Sequence, residues 1–317
     1  MKATLPVVYD ASDFVLSSFR SRVGAPSPIL ETEARIERIV AGLRSCEHVR
    51  WSSAATAYDQ ALEVVGRVHS TEYLHFFAET SERAEGEVME AGFAETGVVP
   101  DTPVTRGAYP AAIRAFASAV AAANELVRGE RQAYAVCRPP GHHAGRAFMG
   151  GYCFLNNACA AARVLRDAGK RVGVVDIDYH HGNGTADILG AEDDVPFVSL
   201  HASTITAFPY VATAPRAANQ TFVAFDEPPS EDVYLAQLAD QLGPLGRLSQ
   251  VDAIVISLGY DPVIGDPHGG WAMTPAFFQH AARLFKETTR QLCFVQEGRY
   301  ELERLAECSR ELAMGLG

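Results

Sequence analysis

Apolar residues along this chain fall into two kinds of segment that alternate. In the first kind they recur every three or four positions with charges between them. Examples are Ile36, Ile39, Val40 and Leu43 within residues 31–43, and Ile113, Phe116, Val120 and Leu126 within the alanine-rich stretch 111–127, with Gly129 just beyond it. That spacing lines one face of a helix, so it predicts helices over both stretches. Residues 156–168, closed by Gly169, and residues 276–289 predict two more. In the second kind the apolar residues run on with little alternation, at 133–137, 172–177, 195–200, 253–258 and 292–295. Such runs suit parallel strands covered on both faces. Their alternation with helices predicts an α/β fold around one mainly parallel sheet.

The residues just beyond each run are less ordinary. Cys137 leads into RPPGHHAG, Ile177 into DYHHGNG, Leu200 into His201, Leu258 into GYDPVIGDPHGG and Val295 into QEGRY. Open parallel sheets bind ligands at the carboxyl ends of their strands. The residues that are costly to bury therefore gather where a site is expected.

Composition narrows the class. The chain has 317 residues, 48% of them hydrophobic, enough for one large core, and the expected organisation is a single domain over residues 1–317. A net charge of −12 argues against nucleic acid as a partner and mildly favours a small cationic one. The six cysteines form no C-x-x-C pair and read as reduced thiols of a cytoplasmic protein. MKATLPVVYD has no apolar stretch of signal-peptide type, and no run has the length and composition of a membrane span, so no membrane partner is expected. A homodimer is left open.

Asp178 and His180 are two positions apart, and on extended backbone they point to the same side, with Asp176 one step deeper. An aspartate–histidine pair suits a borderline cation such as zinc. Asp261, just past the run 253–258, is the best third ligand. Three protein ligands leave a place for water, which is the pattern of a catalytic rather than a structural site. The plainer reading has D-x-D-x-H bonded to loop amides. His142, His143 and Asp261 at other strand ends favour the metal.

These motifs carry a resemblance. RPPGHHA, GGYCFLNN, DIDYHHGNGT, SLH, GYDPVIGDPHGG and EGRY occur in the order and spacing of the zinc-dependent histone deacetylase family, closest to its class II and bacterial acetylpolyamine amidohydrolase branch. The clear match runs from about Asp101 to Tyr300, with weaker similarity at RVHSTEYLHFF. The resemblance implies the arginase/deacetylase three-layer sandwich. It implies zinc ligands Asp178, His180 and Asp261, tandem histidines His142 and His143 beside the attacking water, Asp176 orienting His142, and Asn183 beside His143. It implies Tyr300 facing the substrate carbonyl, and a potassium ion near Asp176, Asp178, His180, Ser199 and Leu200, partly through main-chain carbonyls. Tyr152 and Phe208 match the walls of a narrow tunnel, Gly151 with Gly150 permits close backbone approach, and Asp101 matches a rim aspartate that binds substrate backbone.

That set suits amide hydrolysis. His143 is the better candidate to take a proton from water and return it to the leaving amine, with His142 staying charged or sharing the load. Tyr300 would donate to the oxyanion. Taken alone, the histidine pair reads as a satisfied turn, Tyr300 as core or surface, and Asp101 as a turn cap. His69, His181 and His201 read as structural and Cys153 as a packed thiol.

Three places depart from the family pattern. Arg299 stands in EGRY where a second glycine is usual. His268 occupies the GDPHGG position, where relatives carry a hydrophobic or, in a polyamine-selective type, an acidic residue. The segment after Phe208-Pro209 is short and poor in glycine. With His268 and Arg299 added, the candidate substrate-binding set is Asp101, Gly151, Tyr152, Phe208, His268 and Arg299. The leading reading is a zinc-dependent deacetylase of an N-acylated amine: an acetylpolyamine, an acetyl-lysine or a specialised metabolite. The alternatives are an arginase-like hydrolase with two manganese ions and a non-catalytic zinc-dependent binder of acylated ligands.

Overall fold

The computed structural model describes residues 4–10, 31–89, 91–215, 217–288, 290–298 and 300–317. Its centre is an eight-stranded sheet, formed by β1 (Leu5–Val8), β2 (Val49–Ser52), β3 (Gln132–Ala135), β4 (Val172–Asp176), β5 (Phe197–Ala202), β6 (Gln220–Phe225), β7 (Ala253–Leu258) and β8 (Gln291–Gln296). The order across it is β2-β1-β3-β8-β7-β4-β5-β6, and every neighbouring pair is parallel.

Both faces of the sheet are covered, which is why its inner strands read as continuous apolar runs. Side chains alternate between the faces. Val172, Val174, Ala253, Val255, Cys293 and Val295 point into one core with α2 (Tyr58–Val68), α3 (Thr71–Arg83), α4 (Ala108–Val127), α5 (Asn157–Asp167) and α6 (Asn183–Leu189). Val175, Ile254, Ile256, Leu292 and Phe294 point into the other with α1 (Glu33–Arg44), α7 (Glu231–Leu242), α8 (Ala276–Glu287) and α9 (Leu305–Leu316). The result is the sandwich of three layers, helix on sheet on helix. Among the described residues no helix is long and apolar enough to cross a membrane.

Most of the expected elements differ from those observed only at their ends. β5 runs two residues further than residue 200, so His201 lies inside the strand. α4 begins at Ala108, with Gly107 in the left-handed region (φ 85°) as its N-cap. Asp101 therefore does not cap that helix. The apolar pattern predicts no strand at β1, β2 or β6; β2 and β6 are the sheet edges, and both are partly exposed and less uniformly apolar.

Sheet order decides what can meet. β8 and β7 lie between β3 and β4, so the loops after β3, β8, β7 and β4 emerge side by side from one edge. The loop after β3 is pinned from below by His69, which is fully buried. Its Nδ1 lies 2.8 Å from the Gly145 carbonyl, and its Nε2 accepts the Asn156 N–H at 3.0 Å. Only the neutral imidazole can serve both partners. Burial pushes the ring down to about 4 from its ordinary 6.5. A folded-state value below the unfolded one means the stabilisation is complete above pH 6.5 and is lost as pH falls towards 4. Denaturant titrations should show His69 contributing a loss on the order of 2–3 kcal/mol over that window. His69→Gln should be less stable at neutral pH but flatter with pH, and equal slopes for the two proteins would contradict this role.

Candidate metal and catalytic site

The loop after β3 places His142 and His143 side by side, with ring centroids 3.9 Å apart. Glu297, directly after β8, fixes that loop: its Oε2 accepts the N–H groups of Gly141 (2.7 Å) and His142 (3.1 Å), and its Oε1 accepts the Ser257 hydroxyl (3.1 Å). The two imidazoles then receive different partners. His142 Nδ1 lies 2.9 Å from Asp176 Oδ2. His143 Nδ1 lies 2.6 Å from Asn183 Oδ1. Asn183 cannot turn over freely, because its Nδ2 donates to Glu95 Oε2 at 2.7 Å. Its carbonyl oxygen therefore faces His143, whose Nδ1 must carry the hydrogen, and Nε2 is left as an acceptor.

The electrostatics match the partners. Burial alone would lower the His142 value, but Asp178 and Asp176 overcome it and push it up to about 10. Burial, with the charges of His142 and His180 nearby, holds His143 well below the ordinary imidazole range. The dyad is thus asymmetric: a carboxylate supports charge on one ring, and an amide leaves the other neutral.

Three donors converge beside the dyad, at the ends of β4 and β7. His180 Nδ1 lies 3.1 Å from Asp178 Oδ1 and 3.0 Å from Asp261 Oδ2, and one ligand atom from each residue falls within 4.8 Å of the others. Both aspartates are fully buried. Burial, then the Asp178 charge, pushes Asp261 up to about 7. Burial would raise Asp178 too, but His142 and His180 hold it below the usual carboxylate range. A divalent cation is the group that would remove this mutual penalty, and an O,O,N donor set suits zinc. The backbone leaves room for such a cluster. A Cβ on Gly259 would fall 2.1 Å from Asp178 Oδ2 and 2.6 Å from Asp261 Oδ1. A second group, His142, Cys153 and Glu297, is equally compact, but its Glu297 Oε2 already serves two amides and its His142 faces Asp176.

Tyr300 closes the other side. Its N–H donates to Asp266 Oδ2 at 2.8 Å, and Asp266 Oδ1 accepts the N–H groups of His268 and Gly269, so one carboxylate ties together two loops of the site. Beneath the Tyr300 ring, Arg35 Cζ stands 4.9 Å from the centroid. Arg35 is fully buried, paired with Glu31 at 2.5 Å, and donates to the Glu297 carbonyl at 2.8 Å. Burial pushes the Tyr300 hydroxyl well above its ordinary value, which keeps it a donor.

Above these groups opens a cavity of about 840 Å³ lined by His142, His143, Asp178, His180 and Tyr300 below and by Asp101, Gly151, Tyr152, Phe208 and His268 higher up. Phe208 meets His143 edge to face at 4.5 Å, and His268 meets Tyr300 the same way at 4.8 Å. Gly151 has φ 53°, and a Cβ there would fall 2.2 Å from His143 Cδ2, so the position requires glycine. Asp101 Oδ1 accepts the Gly151 N–H at 2.9 Å and the Thr102 hydroxyl at 2.8 Å. Arg299 lies outside the described residues. Ser199 and Leu200 sit behind the metal cluster on β5; Ser199 pairs in register with Asp176 and its hydroxyl is 3.2 Å from His181 Nδ1, while the Leu200 carbonyl accepts the Tyr234 hydroxyl at 3.2 Å. His69, His181 and His201 do not line the cavity. No local pattern in the sequence singles out Glu95, Asp266 or the side chain of Glu297. For Glu31 and Arg35 the one available signal is their i,i+4 spacing at the start of a helix.

Comparison with known proteins places the whole chain. The model of the histone deacetylase domain matches residues 29–316. Acetylpolyamine amidohydrolase 1 of Pseudomonas aeruginosa is 31% identical over 89% of this chain and 90% of its own length. The acetylpolyamine amidohydrolase of Mycoplana ramosa is 31% identical over 86% and 88%. The crystal structure of acetylpolyamine aminohydrolase from Burkholderia pseudomallei superposes with a TM-score of 0.87 at 30% identity, covering 99% of both chains. The donor cluster, the dyad and the tyrosine thus stand in a chain that belongs to the histone deacetylase family.

Proposed function

We propose that this chain, acting as one catalytic unit, is a zinc-dependent amidohydrolase that removes an acetyl or other short acyl group from an N-acylated amine. The observation that carries the reading is the convergence of Asp178, His180 and Asp261 beside a cavity whose floor also carries a histidine with a bare Nε2 and a tyrosine held in its protonated form. The named activities of its relatives support a small acetylated amine as substrate.

Asp178, His180 and Asp261 would hold one zinc, and bound there it supplies Lewis acidity to the acyl carbonyl and acidifies a water. The protein's own groups do the rest. His143 Nε2 takes the proton of the attacking water and later delivers it to the leaving amine. Asn183, held by Glu95, keeps the hydrogen on Nδ1, so that Nε2 stays the acceptor. His142, charged against Asp176, adds positive potential beside the developing oxyanion without giving up its proton. Tyr300 donates its hydroxyl hydrogen to that oxyanion from the opposite side. Tyr152 and Phe208 form the walls that admit a flexible arm and exclude water around it.

A potassium ion bound near Asp176, Asp178, His180, Ser199 and Leu200 belongs to the same proposal. The register pairing of Asp176 with Ser199 supports it. The six cysteines are all free thiols, which supports a reducing, cytoplasmic setting.

Acetate release from a panel of acetylated polyamines, acetyl-lysine peptides and simple alkyl acetamides tests the reading. At least one should be hydrolysed, with Tyr300→Phe losing about 10²–10³ in kcat while still folding. No release from any member, or full activity in Tyr300→Phe, would contradict it.

A further inference from the structure

The upper part of the cavity has a character that the floor does not dictate. Its rim is built from two loops that approach each other: the place a Cβ would take on Gly97 is 3.7 Å from Val211 Cγ1. From these loops Val99, Pro100, Pro209 and Tyr210 line the cavity, together with Pro267. Val99 is 64% and Tyr210 52% exposed, a large apolar area to leave in water at the mouth of a site. Tyr210 holds a left-handed backbone (φ 61°), a conformation that a tyrosine keeps only where the surrounding fold imposes it. Phe208 continues the apolar wall inward to His143.

Acidic groups are scarce in the same place. Among the described residues that line the cavity the carboxylates are Asp101 and Asp178. Asp178 belongs to the floor, beside the metal donors. Asp101 stands at the rim as the one carboxylate there among the described residues, and its Oδ1 holds the Gly151–Tyr152 wall by accepting the Gly151 N–H and the Thr102 hydroxyl. A substrate with a second ammonium beyond its alkyl arm would leave its hydration shell mostly against valine, proline and tyrosine, with a single rim carboxylate, already accepting two hydrogen bonds, to compensate. An aromatic or aliphatic body in that position would instead bury apolar surface on both sides. The net charge of −12 draws cations to the surface as a whole and does not change what the rim offers.

Resting on the deacetylase reading, we infer that the cavity mouth selects N-acetylated amines whose body beyond the arm is apolar or aromatic over those that end in a second ammonium. The substrate class is therefore an acylated aryl-alkyl or long-chain amine, not a free acetylpolyamine.

The test uses the zinc-loaded full chain and two acetamides with the same five-carbon arm, one ending in phenyl and one in ammonium. Wild-type kcat/KM should favour the phenyl compound by about tenfold or more. Val99→Glu, and separately Tyr210→Glu, should narrow that ratio several-fold, with wild-type melting temperatures showing that the rim and not the fold has changed. Equal or better hydrolysis of the ammonium compound by wild type overturns the inference, as does an unchanged ratio in a variant that melts like wild type. Should one variant not fold, the wild-type ratio and the other variant decide. Acetate from neither compound contradicts the deacetylase reading itself, and with it this inference.

Discussion

Two buried carboxylates and an imidazole that face one another across the ends of β4 and β7 are the constraint around which the site is organised. Groups of like charge do not collect in a dry interior without compensation. Here part of the compensation is visible as backbone donors: Gly298 N–H on Asp178, Tyr179 N–H on Asp261 and His180 N–H on Asp178. The proposed cation supplies the remainder. In the proposed mechanism the other groups of the floor serve a reaction beside that point.

The arrangement holds because a few carboxylates tie separate loops together. Glu297 joins the segment after β8 to the histidine loop after β3. Asp266 joins the loop after β7 to Tyr300. Glu95 fixes an amide that in turn fixes a tautomer. None of these touches the reacting atoms in the proposed mechanism; each restricts a side chain or loop that does. Burial of Arg35 under Tyr300, paired with Glu31, adds a cation beneath the ring and ties helix α1 to the tyrosine segment.

How much of this the chain discloses depends on distance along it. The run 253–258 is β7 with the same bounds, because a strand buried on both faces leaves a continuous local signature. β2 and β6 leave none, since edge strands with partly exposed faces mix polar and apolar residues. The placing of β8 and β7 between β3 and β4 is a long-range pairing that no local pattern records, yet it brings Tyr300 near His142 and His143. Asp178 and His180 are legible because they follow directly on an apolar run, although β4 ends at Asp176 and both lie beyond it in a bend rather than on extended backbone. Glu95 and Asp266 are not, since a lone acid in a loop reads as solvated until its partner is seen. Arg35 reads as one of the charges between apolar helix positions, although it is fully buried.

The apolar mouth and the acidic surface act over different ranges. Net charge shapes encounter, while the rim decides which body of a substrate can rest above the floor. Both are secondary to the claim that one divalent ion joins Asp178, His180 and Asp261. Anomalous diffraction at the zinc edge, from crystals of zinc-equilibrated protein, tests that claim most directly. The account predicts a single peak within coordination distance of Asp178, His180 Nδ1 and Asp261, absent in Asp261→Ala. No peak between these residues, or two metal peaks in their place, would contradict it.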